Sequence, residues 1–162
     1  MKKLLPLIFV FVSINALSLE KISLECSGSG EEIFATKTQI IQNTKFDNLV
    51  RRYELSENGF TEYISTLTLE HTRKDIEKKG DEKLHHDGYY RFEKSIIAYS
   101  ENEDSDNYEV FSKRYFQINR KTTAWSSVES YKGGLIAIYG EDVTKTLRIN
   151  GNCNAWDSKE KF

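Results

Sequence analysis

His85, His86 and Asp87 form the most chemistry-capable run in this chain, and with His71 they include every histidine of the sequence. Zinc needs three or four convergent ligands, whereas consecutive side chains of an extended chain point to opposite sides. The run therefore reads as a solvated connection turning at Asp87-Gly88, and no metal site is expected. A serine nucleophile needs a histidine base within reach, and no Gly-x-Ser-x-Gly elbow occurs. Ser27 and Ser29, in Cys-Ser-Gly-Ser-Gly, read as turn residues. Asn102, Asp104 and Asp106 alternate like the oxygen ligands of a calcium loop, but Asn107 stands where that loop needs glycine and Lys113 where it needs a bidentate glutamate. Residues 100–107 read instead as an exposed acidic loop. No catalytic residue and no cofactor is expected; a carboxylate pair that converges only in the fold is the remaining enzymatic route.

Compartment is more legible. Lys2 and Lys3 precede an apolar run over residues 4–12, and Ala16-Leu17-Ser18 supplies small residues, the order of a secretory signal. Residues 1–18 are expected to be a signal peptide and residues 19–162 a single exported domain, periplasmic or secreted. The apolar run is shorter than the ~20 residues a membrane-spanning helix needs. The 23 basic and 25 acidic side chains nearly balance, which argues against nucleic acid or an anionic membrane surface as partner. The two cysteines, Cys26 and Cys153, are expected to form a disulfide in an oxidising compartment. A loop of that size is worth on the order of 4 to 5 kcal/mol in the chain-entropy model.

The elements that position these residues are strands. Aromatic and β-branched residues recur with period two in runs at 20–27, 32–42, 49–55, 60–71, 89–99, 108–118, 123–131, 135–139 and 143–153. Gly28-Ser29-Gly30, Asn58-Gly59, Asn119-Arg120-Lys121-Thr122, Gly133-Gly134 and Gly140-Glu141-Asp142 read as turns between them. Asn58-Gly59 predicts a two-residue hairpin loop pairing Glu57 with Phe60, and hence Tyr53 with Ile64. Residues 73–83 contain Ile76 as their sole apolar residue and predict a loop or a short, loosely docked helix. The fold class is all-β: an antiparallel meander of about eight or nine strands forming a small, lipocalin-like barrel or a sandwich. A bond between Cys26 in the first strand and Cys153 in the last would tie the ends where such a sheet meets itself. Arg51, Arg52, Arg91, Lys94, Lys113, Arg114 and Lys145 fall on both parities of the runs, against the continuous apolar band of an outer-membrane barrel.

Leu24-Glu25-Cys26, Ile118-Asn119-Arg120-Lys121-Thr122 and Gly151-Asn152-Cys153 before a lysine-rich end resemble a pattern in small exported bacterial proteins of unassigned function. The resemblance covers about a tenth of the chain and implies an exported β-domain and no activity. In that pattern a glycine follows the threonine of the turn, and this chain departs from it with Thr123. In architecture alone the expected fold is similar to periplasmic lysozyme inhibitors and lipocalin-like proteins, a likeness that favours binding over catalysis. The expected function is accordingly a binding protein for a small apolar ligand or a protein partner. An envelope structural, assembly or inhibitor-type protein is the alternative, and an enzyme with an unrecognised site ranks third. Tyr53, Tyr63, Tyr90, Phe92, Phe116 and Trp125 are the candidate ligand-lining residues; the competing expectation is that such aromatics fill the core.

Overall fold

The alternating runs become nine antiparallel strands and one helical turn among the described residues: β1 (Ile22–Ala35), β2 (Ile40–Ser56), β3 (Gly59–Ile64), β4 (Leu67–Thr72), α1 (Arg73–Ile76), β5 (Leu84–Phe92), β6 (Ile96–Ser105), β7 (Phe111–Asn119), β8 (Ala124–Lys132) and β9 (Thr144–Ala155). This computed structural model describes residues 20–65, 67–77, 84–105, 111–133 and 142–157, with the backbone alone at 84, 85, 104, 105 and 111. The expected leader, the run 135–139 and the lysine-rich tail lie outside those residues. One sheet holds every strand, in the order β4-β3-β2-β1-β9-β8-β7-β6-β5, curled into a half-barrel.

Cys26 on β1 and Cys153 on β9 are direct register partners and are disulfide-bonded. The expected bond between first and last strands is present where the meander meets itself, but the sheet keeps two edges that closure there was expected to remove. β1 and β9 lie in the middle of the sheet, and the free edges are β4 and β5, consecutive in the chain. The one-turn helix α1 connects these edges. Thr72 caps it by accepting a hydrogen bond from the Asp75 N–H, and Ile76, the sole apolar residue of its segment, is buried.

Several of the expected turns are strand in the structure. Gly28-Ser29-Gly30 is not a turn but the middle of β1, where a Cβ on Gly28 would overlap the Asn150 carbonyl of β9. Here glycine permits close strand approach rather than chain reversal. The run 60–71 divides at Ser65, whose φ is +52°, and the run 89–99 divides between Phe92 and Ile96. Asp87-Gly88 is strand, not turn, and residues 100–105 of the expected acidic loop belong to β6. By contrast, Asn119 builds the predicted turn: its Oδ1 accepts from the N–H groups of Lys121 and Thr122. Thr123 closes that turn with φ of +60°. Left-handed backbone costs an L-residue about 1–2 kcal/mol, so Thr123→Gly is expected to stabilise the fold by about 1 kcal/mol in chemical denaturation. A lower midpoint for the glycine variant would count against it.

The β2–β3 hairpin is shifted by one residue on each strand from expectation. Ser56 pairs with Gly59, Leu55 with Phe60 and Tyr53 with Glu62, so Glu57-Asn58 forms the loop and Gly59 opens β3. Gly59 has φ of +139°, and a Cβ there would overlap the His71 carbonyl oxygen on β4. Gly59→Ala is therefore expected to cost about 2 kcal/mol, combining backbone strain with a collision against main chain. An unchanged denaturation midpoint would show that the loop rearranges at no cost.

Outward positions carry polar groups such as Glu25, Arg52, Lys113, Asn150 and Asn152. Inward positions hold the core: Tyr53, Leu55, Phe60, Tyr90, Ile97, Tyr99, Phe116, Ile118, Trp125 and Ile149 are all nearly solvent-free. Each such side chain contributes roughly 1.5–3 kcal/mol of hydrophobic free energy. No helix among the described residues is long and apolar enough to cross a membrane.

Candidate functional site

Strand registers arrange the inward residues in three bands along the half-barrel. The first is an apolar mouth. Ile22, Leu24, Ile118, Cys153 and Ala155 line an open hollow of about 340 Å³, with Asn119 and Arg120 at its rim. Arg120 is held there by Glu20 at 2.6 Å and by the Glu93 carbonyl at 2.9 Å, and its guanidinium lies over the Phe92 ring.

Aromatic rings fill the middle band. Phe60 lies with its centroid 5.0 Å from Tyr99, 5.0 Å from Phe116 and 5.6 Å from Tyr90, while Tyr53 packs 5.0 Å from Phe116 and 6.4 Å from Trp125. Of the six candidate lining residues, Tyr53, Tyr90, Phe116 and Trp125 thus form one interlocked group, and Phe92 packs half-buried at its edge. Tyr63 stands on the opposite face, edge-on to Trp156.

Beyond the rings lies a layer of charge. Arg51 on β2 is 3% exposed and donates to Glu62 on β3 at 2.9 Å and to Glu129 on β8. Glu62, 2% exposed, also accepts from Arg114 on β7 at 2.7 Å. Four strands thus meet in one ion cluster, with Arg51 and Glu62 buried and Arg114 and Glu129 partly exposed. Burial opposes the Arg51 charge, but Glu62 and Glu129 outweigh it and raise the guanidinium pKa above its ordinary value. Burial likewise raises the Tyr53, Tyr90 and Tyr99 hydroxyls, which stay neutral.

The layer continues onto β5 and β6. His86 is the register partner of Glu103, and Glu101 lies two residues along the same face of β6. His86 Nδ1 is 3.5 Å from Glu103 Oε1, and Nε2 is 3.7 Å from Glu101 Oε1. Glycine makes this possible. A Cβ on Gly88 would overlap the Ile76 carbonyl oxygen, so Gly88 lets the end of α1 settle on β5. That same carbonyl lies 2.9 Å from His86 Nε2. Among the described residues, His86, Glu101 and Glu103 are the group of three whose donor atoms converge. Spacing in the sequence concealed them, because the partners of His86 come from a neighbouring strand rather than from His85 or Asp87.

Two members of the inner face set a pH dependence. Burial raises the Glu129 carboxyl, but the hydrogen bond and charge of Arg51, with the charge of Arg114, bring its pKa below the ordinary value. Burial and then Arg114 depress the pKa of His71, whose ring stacks on Phe60. Both groups have a lower pKa folded than unfolded, so the unfolded chain takes up their protons first. Their stabilisation is complete above the unfolded values, about 6.5 for histidine and 4.3 for glutamate, and is lost as pH falls from there through the folded values. The denaturation midpoint is expected to decline below about pH 6.5 and more steeply near pH 4. His71→Phe, which keeps the stacking, should lose the first phase. A midpoint that rises on acidification would contradict the assignment.

Comparison of the chain with protein families, curated proteins and solved structures finds no match. What the fold and the inner face define is a class by architecture: an antiparallel β half-barrel with a central disulfide, a packed aromatic core and ionisable groups at one end.

Proposed function

We propose that the chain is an exported bacterial binding protein, periplasmic or secreted, that takes a small apolar ligand in the mouth beside the disulfide. The carrying observation is the hollow itself. Its apolar walls are Ile22, Leu24, Ile118 and Ala155, with Ser23, Asn119, Arg120 and Thr123 as the polar groups available to orient a ligand. Binding sites of this kind combine apolar walls with few polar groups, and about 340 Å³ falls at the small end of their range. The aromatic rings act beneath this site as its floor and support. The signal-like leader and the disulfide support export.

Titration with saturated fatty acids of eight to twelve carbons, followed by tryptophan fluorescence, tests the reading. Trp125 lies next to Ile118 across the β7–β8 pair and should report occupancy. Saturable binding is expected, retained in Leu24→Val and lost in Leu24→Glu. Binding that ignores Leu24→Glu, or no saturable response at all, would sink it.

A second reading has its own observation. Residues 40–51 of β2 have β1 on one side and, among the described residues, no strand on the other, and Ile40 and Ile41 are exposed there. An open edge of this kind accepts an extended segment of another protein. A photo-crosslinker at position 41 that captures one envelope protein in cells, with no fatty-acid binding in vitro, would favour this interaction role.

A further inference from the structure

The structure assigns His86, Glu101 and Glu103 as a site for one divalent first-row transition ion, with Zn²⁺ the natural occupant. Three kinds of observation converge on it.

The first is geometry. Ligand atoms about 2.1 Å from a tetrahedral zinc lie roughly 3.4 Å from one another. One donor atom from each of the three side chains lies within 4.8 Å of the other two, and His86 Nδ1, the nitrogen left free to ligate, is 3.5 Å from Glu103 Oε1. Small side-chain rotations close the remaining difference. The backbone register of β5 and β6 fixes all three on one face, so no chain rearrangement is needed.

Second, each inner ligand is already oriented by a partner outside the set. The Ile76 carbonyl accepts from His86 Nε2–H, which leaves the Nδ1 lone pair turned to Glu103. The Tyr99 hydroxyl donates to Glu101 Oε2, which leaves Oε1 turned to His86. Such outer hydrogen bonds, histidine to a backbone carbonyl and a donor onto the carboxylate, are what hold the ligands of metal sites in place.

Third, two carboxylates share one histidine. Along this layer Arg51 and Arg114 serve Glu62 and Glu129. Among the described residues, His86 is the only cation-forming side chain within 4.0 Å of Glu101 or Glu103. One imidazole and two carboxylates suit zinc and its first-row neighbours, not calcium, which takes six to eight oxygens. Glu103 is half exposed and gives the ion a way in, with room for water to complete its coordination.

The site stands at the opposite end of β5–β7 from the apolar mouth and does not rest on the ligand proposal. The test uses the disulfide-bonded protein, stripped with EDTA and dialysed, then titrated with Co²⁺ and with Zn²⁺. One equivalent of Co²⁺ should give a visible d–d absorption that Zn²⁺ bleaches, and Zn²⁺ should raise the melting temperature by mass action. Glu103→Gln, at a half-exposed position that folding tolerates, should weaken Zn²⁺ binding at least tenfold in calorimetry, and His86→Gln likewise. Tyr99→Phe should weaken it about tenfold. Asp87→Asn, on the outward face beside the site, should change nothing. Absence of saturable one-to-one binding below millimolar Zn²⁺ would overturn the assignment and leave a histidine–carboxylate ion pair in its place. Affinity unchanged by Glu103→Gln in protein with a native circular dichroism spectrum would overturn it equally.

Discussion

Arg51→Ala should lower the unfolding free energy by about 3–5 kcal/mol, the range seen when one member of a buried ion pair is removed. The alanine would delete the donor that joins β2 to both β3 and β8. Glu62, 2% exposed, would be left with Arg114 alone, and Glu129 would lose its short contact. Glu62 cannot reach bulk water without opening the sheet, whereas Glu129 is already partly exposed. The expected cost is thus mainly that of stranding buried negative charge. The double replacement Arg51→Met with Glu62→Met provides the control: both charges leave together, Glu129 keeps Arg114 at 3.8 Å, and the loss should be well below that of Arg51→Ala. Urea denaturation of Arg51→Met, Glu62→Met and the double variant closes the cycle. A loss under 1 kcal/mol for Arg51→Ala would mean that water already solvates the cluster.

Loss of the disulfide is expected to cost on the order of 4 to 5 kcal/mol by the chain-entropy relation, since the bonded residues are 127 positions apart. Cys26→Ala with Cys153→Ala is the cleaner test, because both side chains are buried and alanine leaves no thiol. The β1–β9 ladder runs from Leu24–Ala155 to Ala35–Thr144 and should re-form without the bond. The double variant is therefore predicted to keep its far-ultraviolet spectrum and to unfold at much lower denaturant. Equal midpoints for the oxidised protein and the variant would show that the unfolded chain gains little freedom from the break.

The comparison of pattern with structure turns on where charge is buried. Wherever inward positions are apolar, as at Tyr53, Leu55, Phe116, Ile118 and Trp125, the period-two reading located strands and their core residues. The Cys26–Cys153 bond and the Asn119 turn were also legible, the first from compartment and the second from a side chain that caps its own loop. The reading failed around Glu101, Glu103, His86 and Gly88. There the inward residues are ionisable or lack a side chain, so strand and loop look alike in polarity. Gly28 and Gly88 misled for a related reason, because glycine marks chain reversal and close backbone approach equally well. Glu62 and Glu129 gave no signal at all. Their partners, Arg51 and Arg114, lie 11 and 15 residues away along the chain, and only the half-barrel brings all four together.

The sheet order has a consequence for how the molecule is made. Each neighbouring pair in the sheet is consecutive in sequence except β1 with β9. The chain is a simple meander whose termini happen to fall in its centre, and whose natural break lies between β4 and β5. During synthesis, β1 must wait for the final strand to emerge before its second ladder can form, so the middle of the sheet is the last part to close. Trp156 N–H already bonds the Ser23 carbonyl at 3.0 Å, which brings the end of β9 beside the start of β1. A circular permutant joined there by a short linker, and opened after α1, would convert every ladder into a local hairpin. Its contact order would fall, and such chains fold faster at similar stability.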